Sequence, residues 1–482
     1  MEFEPVIGLE IHIQCRTQSK MFCTCRNTTG EEPNTNTCPI CTAQPGVMPR
    51  INEEAVHQMI VAGLMTDCTI AEHSKFDRKS YYYPDMPKNY QITQYDLPIC
   101  LDGRIPIGGK GLSEQPITPR YIGLERIHLE EDVGKSTHYK GFSHVDYNRA
   151  GIPLMETVSR PDMRSADEAY AYVLSLQQIM RYGGVSDCDQ EKGQFRCDVN
   201  ISLRPKGVEK FGTKVEIKNL NSTRHIWLSI NHEIERQAAI YRAGGTIRQE
   251  TRRWDDAAQE TVFMRSKETA DDYRYFPEPD LPPLHIPAEQ VDKVRATLPL
   301  TPQKIREKMT GEFGVSEYDA HVLTLEKETC DYFLAAAAVA PKAGKGIANI
   351  MMNWMFRDLA AAGQKLADCK IQPVQLGQLV ALMEDGTVST KIAQTVFAEM
   401  LASGKDPKTI VEEKGLVQVS DTGAITEFAR QAIAANPKAV GEYKEGKGAA
   451  VQFLVGQVMK LSKGKANPGL LQQILKDELD KL

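Results

Sequence analysis

Val6-Ile7-Gly8-Leu9-Glu10-Ile11-His12-Ile13-Gln14 alternates apolar and polar side chains from Leu9 onward, the period of two expected of a half-buried β-strand. That period sets Glu10 and His12 on one face, an oxygen donor beside a nitrogen donor. The face reads either as a pair of metal ligands or as two polar residues turned to water. The same alternation returns in Arg196-Cys197-Asp198-Val199-Asn200-Ile201-Ser202, with Arg196, Asp198, Asn200 and Ser202 in one polar row. Glycine and proline turns separate such stretches as far as about Pro283, so the first part of the chain reads as sheet. Helical spacing interrupts it at Ser165 to Arg181 and Ile226 to Arg242. The expected fold class is α+β, with a mixed, largely antiparallel sheet.

Phe276-Pro277-Glu278-Pro279-Asp280-Leu281-Pro282-Pro283 continues neither element, because proline lacks the amide donor and restrains the residue before it. Beyond Pro299 the composition shifts to Ala, Leu, Lys and Glu, and helices are expected at Pro302 to Met309, Ser316 to Ala338, Gly346 to Ala362 and Pro373 to Glu384. A second break at Ser403-Gly404-Lys405-Asp406-Pro407 opens a smaller tail, with helices at Asp421 to Ala435 and Gly448 to Lys460. The expected domains are a sheet domain at 1–293, a helical domain at 294–405 and an all-α tail at 406–482.

The 482 residues are 41% hydrophobic and 25% charged, ordinary globular composition with room for several cores. The longest apolar run, Phe333 to Ala340, is cut by Pro341 and falls far short of a membrane span. Glu2 and Glu4 flank Phe3, unlike a signal or transit peptide, so a cytoplasmic location is expected. A formal net charge of -6 excludes a global positive field, which leaves local patches to hold any nucleic acid.

Cys23, Cys25, Cys38 and Cys41 form Cys-x-Cys and Cys-x-x-Cys pairs, a spacing suited to a closed, structural zinc site; the plainer reading is four free thiols. Tyr81-Tyr82-Tyr83-Pro84-Asp85, with Lys79, Lys88 and Asn89, groups aromatic faces and cations in one turn, which suits a base and phosphates or else plain sheet packing. The acidic islands Glu130-Glu131-Asp132 and Glu156 add carboxylates to Glu10 and His12 if the fold brings them near. Lys218-Asn219-Leu220-Asn221-Ser222 precedes a helix start, a place for an anion or simply a cap. No acidic residue occurs from Gly446 to Lys476, a stretch holding Lys447, Lys460, Lys463 and Lys465: a cationic face for a phosphate backbone, or merely a soluble one.

Taken together, Val6 to His12, Lys75-Phe76-Asp77-Arg78-Lys79, Tyr82-Tyr83-Pro84-Asp85, Lys88-Asn89-Tyr90-Gln91-Ile92, His128-Leu129-Glu130-Glu131-Asp132 and Asp271-Asp272-Tyr273-Arg274-Tyr275-Phe276-Pro277-Glu278-Pro279-Asp280 make the chain, over essentially its whole length, resemble the B subunits of the aspartyl/glutamyl-tRNA(Asn/Gln) amidotransferases. The resemblance implies a cradle domain, a helical domain and a tail that contacts the tRNA body. It implies ATP-dependent phosphorylation of the side-chain carboxylate of Glu-tRNA(Gln) or Asp-tRNA(Asn), followed by amidation with ammonia channelled from a glutaminase subunit. The implied assembly is a heterotrimer of this chain with an amidase A subunit and a small C subunit, acting on mischarged tRNA, with transient contact to a non-discriminating aminoacyl-tRNA synthetase.

By the same resemblance His12 and Glu131 match a magnesium site, with Glu10 and Glu156 adjoining, and these four are the expected catalytic residues. Lys79, Tyr82, Lys88, Arg196 and Asp198 are assigned to ATP or to the acylated tRNA end. The family contains members without the four cysteines, so zinc at Cys23, Cys25, Cys38 and Cys41 is expected to be scaffolding. Two other classes compete: a noncatalytic scaffold that delivers RNA, and a zinc-dependent hydrolase, which a closed four-cysteine site disfavours.

Overall fold

The computed structural model describes residues 2–266, 273–416, 422–444, 448–462, 466 and 468–481. The chain divides into two compact units, 1–303 and 304–482. The first is built on a ten-stranded sheet of β1 (Phe3–Gln14), β2 (Thr69–Ile70), β3 (Cys100–Leu101), β4 (Arg104–Lys110), β5 (Pro116–Glu131), β6 (Pro153–Ser159), β7 (Phe195–Pro205), β8 (Val215–Leu220), β9 (Glu250–Asp255) and β10 (Glu260–Ser266). Their order is β10-β9-β8-β7-β1-β6-β5-β3-β2, with β4 also paired to β5. All these neighbours are antiparallel except β8 and β9. The expectation of a mixed, largely antiparallel sheet therefore matches the structure.

β1 lies inside the sheet, paired with β6 on one side and β7 on the other. Ile7, Leu9, Ile11 and Ile13 are buried, as are Ile127, Leu129, Met155, Val199 and Ile201 of its neighbours. The first unit buries this apolar surface beneath α1 (Glu53–Met65), α2 (Ala166–Tyr182) and α3 (Thr223–Arg242), which pack against β5, β4 and β7. α2 starts where Ser165 Oγ accepts the Glu168 amide at 3.1 Å. Its buried Ala169, Tyr172, Val173, Leu176 and Met180 recur at helical spacing, and each large apolar side chain contributes about 1.5–3 kcal/mol by leaving water. α3 provides the long crossover that the parallel β8–β9 pair requires. A separate three-stranded sheet joins Asp77–Ser80 to Tyr90–Thr93 and Phe276–Pro277.

The chain after the proline cluster still belongs to the first unit: Leu284–His285 pairs with His73–Ser74, and a helix follows at Ala288–Thr297. In the second unit the single helix expected over Ser316 to Ala338 is two, Glu317–Leu323 and Lys327–Val339. Thr324 ends the first by donating its hydroxyl to the Ala320 carbonyl at 2.8 Å. Helical structure runs on from Gly344–Ile350 through a wider turn at Met351–Met355 to Phe356–Ala361. The helices Thr422–Ala435, Pro437–Lys444, Ala449–Leu461 and Pro468–Leu479 share an apolar core that includes Ile425, Ala429, Leu454, Val458, Leu471 and Leu475. Asp421, the expected start of one of them, lies outside the described residues. No helix among the described residues is long and apolar enough to cross a membrane.

Candidate active site and metal centre

Strand register builds the site. Arg196 of β7, His12 of β1, Glu156 of β6 and His128 of β5 stand directly opposite one another in one row across four strands. Side chains alternate along each strand, so Glu10 and Asp198 share this face with His12 and Arg196, and Glu130 shares it with His128. His12 Nε2 lies 3.3 Å from Glu156 Oε2 and 3.7 Å from Glu130 Oε1. His128 Nε2 lies 3.5 Å from the same Glu156 oxygen and 3.7 Å from Glu130 Oε2. Ligand atoms of Glu10, His12 and Glu156 fall within 4.8 Å of one another, and so do those of His128, Glu130 and Glu156.

Burial alone would drive His12 toward neutrality, yet the hydrogen bond to Glu156 and the charges of Glu156 and Glu130 outweigh it and hold its pKa at about 9. Burial also opposes ionisation of Glu156, but His128 and His12 keep its carboxyl well below the usual range. Glu10 is pushed up, by burial first and then by the nearby Glu156 charge. A group of three carboxylates and two imidazoles, with Glu130, Glu156 and His128 buried and Glu10 and His12 partly so, that relies on mutual neutralisation is well matched to a divalent cation.

Cations form the facing part of the cleft. Lys79 sits 4.9 Å from the centre of the Tyr273 ring and pairs with no carboxylate among the described residues. Burial opposes its charge, but Glu130 and Glu156 nearby raise its pKa. Arg196 is anchored by Asp132 at 2.9 Å, and Asp132 in turn accepts from Gln14 Nε2 at 2.8 Å. The buried Nε of Arg196 has no hydrogen-bond partner among the described residues. Lys218 is 2.5 Å from Asp198 and 3.3 Å from Glu216. His12, Lys79, Glu130, Arg196, Asp198 and Lys218 all line a cavity of about 830 Å³, within the size range of small-molecule sites. Tyr82 is at its exposed rim, accepting from Arg274 Nη2 at 3.1 Å.

Glu131 is placed elsewhere. As the neighbour of Glu130 in β5 it points to the opposite face, where its carboxylate is 2.5 Å from Lys88 Nζ and accepts the Ile92 amide at 3.0 Å. The structure thus joins Glu130, not Glu131, to His12, and it draws Lys88 away from the His12 face as the partner of Glu131. Lys88 and Glu131 instead line a smaller cavity, about 340 Å³, together with Cys23 and Cys41.

The four cysteines converge, their sulfurs within 4.8 Å of one another, as tetrahedral zinc–thiolate bonds of about 2.3 Å require. Cys41 is lowered to about 5, first by its hydrogen bond with Cys23 and further, against burial, by the Cys38 amide and the Lys20 charge. Cys25 is pushed up to about 11 by burial. The Cys38 amide donates to Cys41 Sγ at 3.2 Å and Lys20 Nζ lies 3.8 Å away, the outer support that thiolate ligands need. Of the tail lysines, Lys460 occupies the last turn of Ala449–Leu461, and Lys447, Lys463 and Lys465 lie outside the described residues, as do Asp271 and Asp272.

The sequence reading leaves His128 unassigned and offers Lys218 and Asp132 only as parts of a candidate anion turn and an acidic island, without their roles beside Asp198 and Arg196. The signal for the first was present, since period two counted back from Glu130 gives His128. The other two depend on pairings across strands that no local pattern reveals.

A sheet face that sets carboxylates and imidazoles against lysine and arginine in one cleft belongs to a catalytic domain that handles anions. Comparison with known proteins gives the same class: residues 5–292 match the GatB/GatE catalytic domain and residues 331–479 match the GatB domain. The chain is 49% identical to the aspartyl/glutamyl-tRNA(Asn/Gln) amidotransferase B subunit of Carboxydothermus hydrogenoformans, covering 100% of both chains. It is 48% identical to the protein of the same name from Brevibacillus brevis, again over 100% of both, and 49% identical to that of Persephonella marina over 99% of this chain and 100% of the relative. The chain belongs to the family of aspartyl/glutamyl-tRNA(Asn/Gln) amidotransferase B subunits, and so to the glutamine-hydrolysing carbon–nitrogen ligases.

Proposed function

We propose that this chain phosphorylates and then amidates the side-chain carboxylate of glutamate on tRNA(Gln), aspartate on tRNA(Asn), or both. The observation that carries the reading is the cleft in which Glu10, His12, Glu130 and Glu156 face Lys79, Arg196 and Lys218. Two anions repel, so a carboxylate attacks a triphosphate only where positive charge is held ready. In the first step a substrate carboxylate oxygen bonds to the γ-phosphorus of ATP, and the bond to the β–γ bridging oxygen breaks, with its electron pair leaving on ADP. In the second, ammonia attacks the acyl carbon, phosphate leaves with the C–O electron pair, and nitrogen gives up one proton.

Lys79, without a carboxylate pair among the described residues, would meet a phosphoryl oxygen, while Arg196, held by Asp132, would offer its Nε–H to the same anion. Lys218 holds Asp198 in place and adds positive charge to the wall of the cavity. Glu10, His12 and Glu156 fit a magnesium ion through mixed oxygen and nitrogen donors. When bound, it supplies charge neutralisation between carboxylate and triphosphate. Cys23, Cys25, Cys38 and Cys41 would hold zinc as a closed structural site.

The family's heterotrimer, with an amidase A subunit and a small C subunit in the cytoplasm, is the setting proposed for this chain. The three-domain division and the tRNA-contacting tail belong to the same reading. The test is amidation of each mischarged tRNA by the assembled complex, with ADP release followed separately. His12→Ala is expected to lower acyl phosphate formation by about 10²-fold or more while leaving tRNA affinity within twofold. Unchanged turnover in that variant would remove the kinase reading and leave an RNA-delivering scaffold.

A further inference from the structure

We infer that Glu72, His73 and His285, at the outer edge of the first unit, form a site for a borderline divalent cation of the zinc class, which clips the end of the proline-rich segment to the strand beside it. His73 and His285 stand directly opposite one another in the antiparallel pair of His73–Ser74 with Leu284–His285. Their rings stack with centres 5.0 Å apart and planes 20° from parallel. His285 Nε2 lies 3.3 Å from Glu72 Oε1, and one ligand atom from each of the three residues falls within 4.8 Å of the others. All three are exposed.

The backbone beneath them is fixed while the side chains are free to turn. The Ile286 amide donates to the Glu72 carbonyl at 2.8 Å, and Ser74 Oγ donates to the Leu97 carbonyl at 2.6 Å. Ile286 and Ser74 are buried, so the alternation along each strand sends His73 and His285 outward together. Directly opposed residues have Cβ atoms about 4.5–5.5 Å apart. Zinc–nitrogen bonds of about 2.0–2.1 Å at a tetrahedral angle place two ring nitrogens roughly 3.3 Å apart, a gap that solvent-facing imidazoles close by rotation alone. Two imidazoles and one carboxylate suit zinc, copper or nickel rather than magnesium or calcium, and three protein donors leave a position open to water. The His73 side chain makes no hydrogen bond to another described residue. Lys75, the next cation along the chain, is engaged by Asp77 and Asp96, which leaves the Glu72 carboxylate to the imidazoles.

The clip acts on a strap. Residues 276–285 pair twice with the same stretch of chain, Phe276–Pro277 against Asp77–Arg78 and Leu284–His285 against His73–Ser74. Between them Glu278 grips the Arg78 guanidinium at 2.7 and 2.8 Å. Each pairing is only two residues long, and the strap's other end carries Tyr273 and Tyr275 beside Lys79 in the cleft. A cation shared by His73 and His285 fastens the outer end, where a two-residue ladder alone holds it.

The experiment titrates Zn2+ by calorimetry into the assembled complex in excess Mg2+, wild type against the double variant His73→Ala/His285→Ala. Both positions are exposed, and the four cysteines and the His12 cluster contribute equally to the two titrations. The wild type is expected to bind one Zn2+ more. Glu72→Gln is expected to weaken that ion at least about tenfold, the least that even an outer-sphere change costs a metal site. Opening of the strap must wait for release of the ion, so Zn2+ at ten times its dissociation constant should slow hydrogen exchange of the Ile286 amide about tenfold in the wild type. The double variant should show no such slowing. Equal zinc stoichiometry and affinity in wild type and double variant overturns the site. An extra ion that leaves Ile286 exchange unchanged overturns the clip, and Glu72→Gln binding as tightly as the wild type overturns the three-donor set. None of these residues lines the cleft, so each outcome leaves the kinase reading where it stood.

Discussion

At the residue scale, the exchange of Glu131 for Glu130 shows what one position means in a strand. Adjacent residues of β5 face opposite sides, so the motif Glu130-Glu131-Asp132 delivers one carboxylate to the His12 cluster and another to Lys88. Period two is plain at Glu10 and His12 and holds equally in the second motif, where three consecutive acids hide the alternation. Glu131 and Lys88 are both nearly buried, and the Ile92 amide depends on the same carboxylate. Removing one partner of such a pair strands the other charge at a cost of about 3 kcal/mol. Glu131→Ala should therefore lower stability in urea by roughly that amount, yet leave Mn2+ affinity at the His12 cluster within twofold. If Glu131→Ala abolished cation binding and Glu130→Gln preserved it, the assignment by facing would be wrong.

At the scale of elements, the strands and helices that pack by one strong period were legible: β1, β7, α2 and α3 follow from alternation or helical spacing alone. The order of strands was not, because a pairing such as His12 with Glu156 spans 144 residues and depends on where the apolar faces meet. The broken helix after Ser316 was also hidden, since a threonine that bonds back to its own helix leaves little mark on composition. Ion pairs between helices are likewise invisible in the sequence. Glu478 is held down to about 2, chiefly by hydrogen bonds from Arg430 and Lys481. A carboxylate whose folded pKa is depressed stabilises the fold above its unfolded value, and that contribution disappears as pH falls through the folded one. The link between Thr422–Ala435 and Pro468–Leu479 should thus weaken between about pH 4.5 and 2. Arg430→Ala should remove most of this acid sensitivity, as read by helical signal during an acid titration, and an unchanged acid transition in that variant would discount the pair.

At the scale of the whole molecule, the chain divides into two units, and the clustered Glu10, His12, His128, Glu130 and Glu156 of the candidate site come from the first. The last four helices enclose apolar side chains drawn from residues 425–479, so removing 406–482 takes away that core, together with Pro407–Glu413, which packs against Pro373–Glu384 and Thr390–Ser403, and none of the strands that carry His12 and its neighbours. The acid-free stretch from Gly446 to Lys476 is the most cationic part of that tail. Each lysine–phosphate contact releases counterions, and its loss reduces the slope of log affinity against log salt by about 0.7–0.9. A chain ending at Lys405, assembled with its partner subunits, should bind mischarged tRNA at least about tenfold more weakly, with a shallower salt dependence. Its Mn2+ binding and its turnover at saturating tRNA should stay within about threefold of the full chain, because none of the cleft residues is lost. Affinity that survives the deletion with an unchanged salt slope would move the tRNA contact out of the tail, and turnover that collapses at saturating tRNA would show that the tail positions the acylated end rather than merely holding the body.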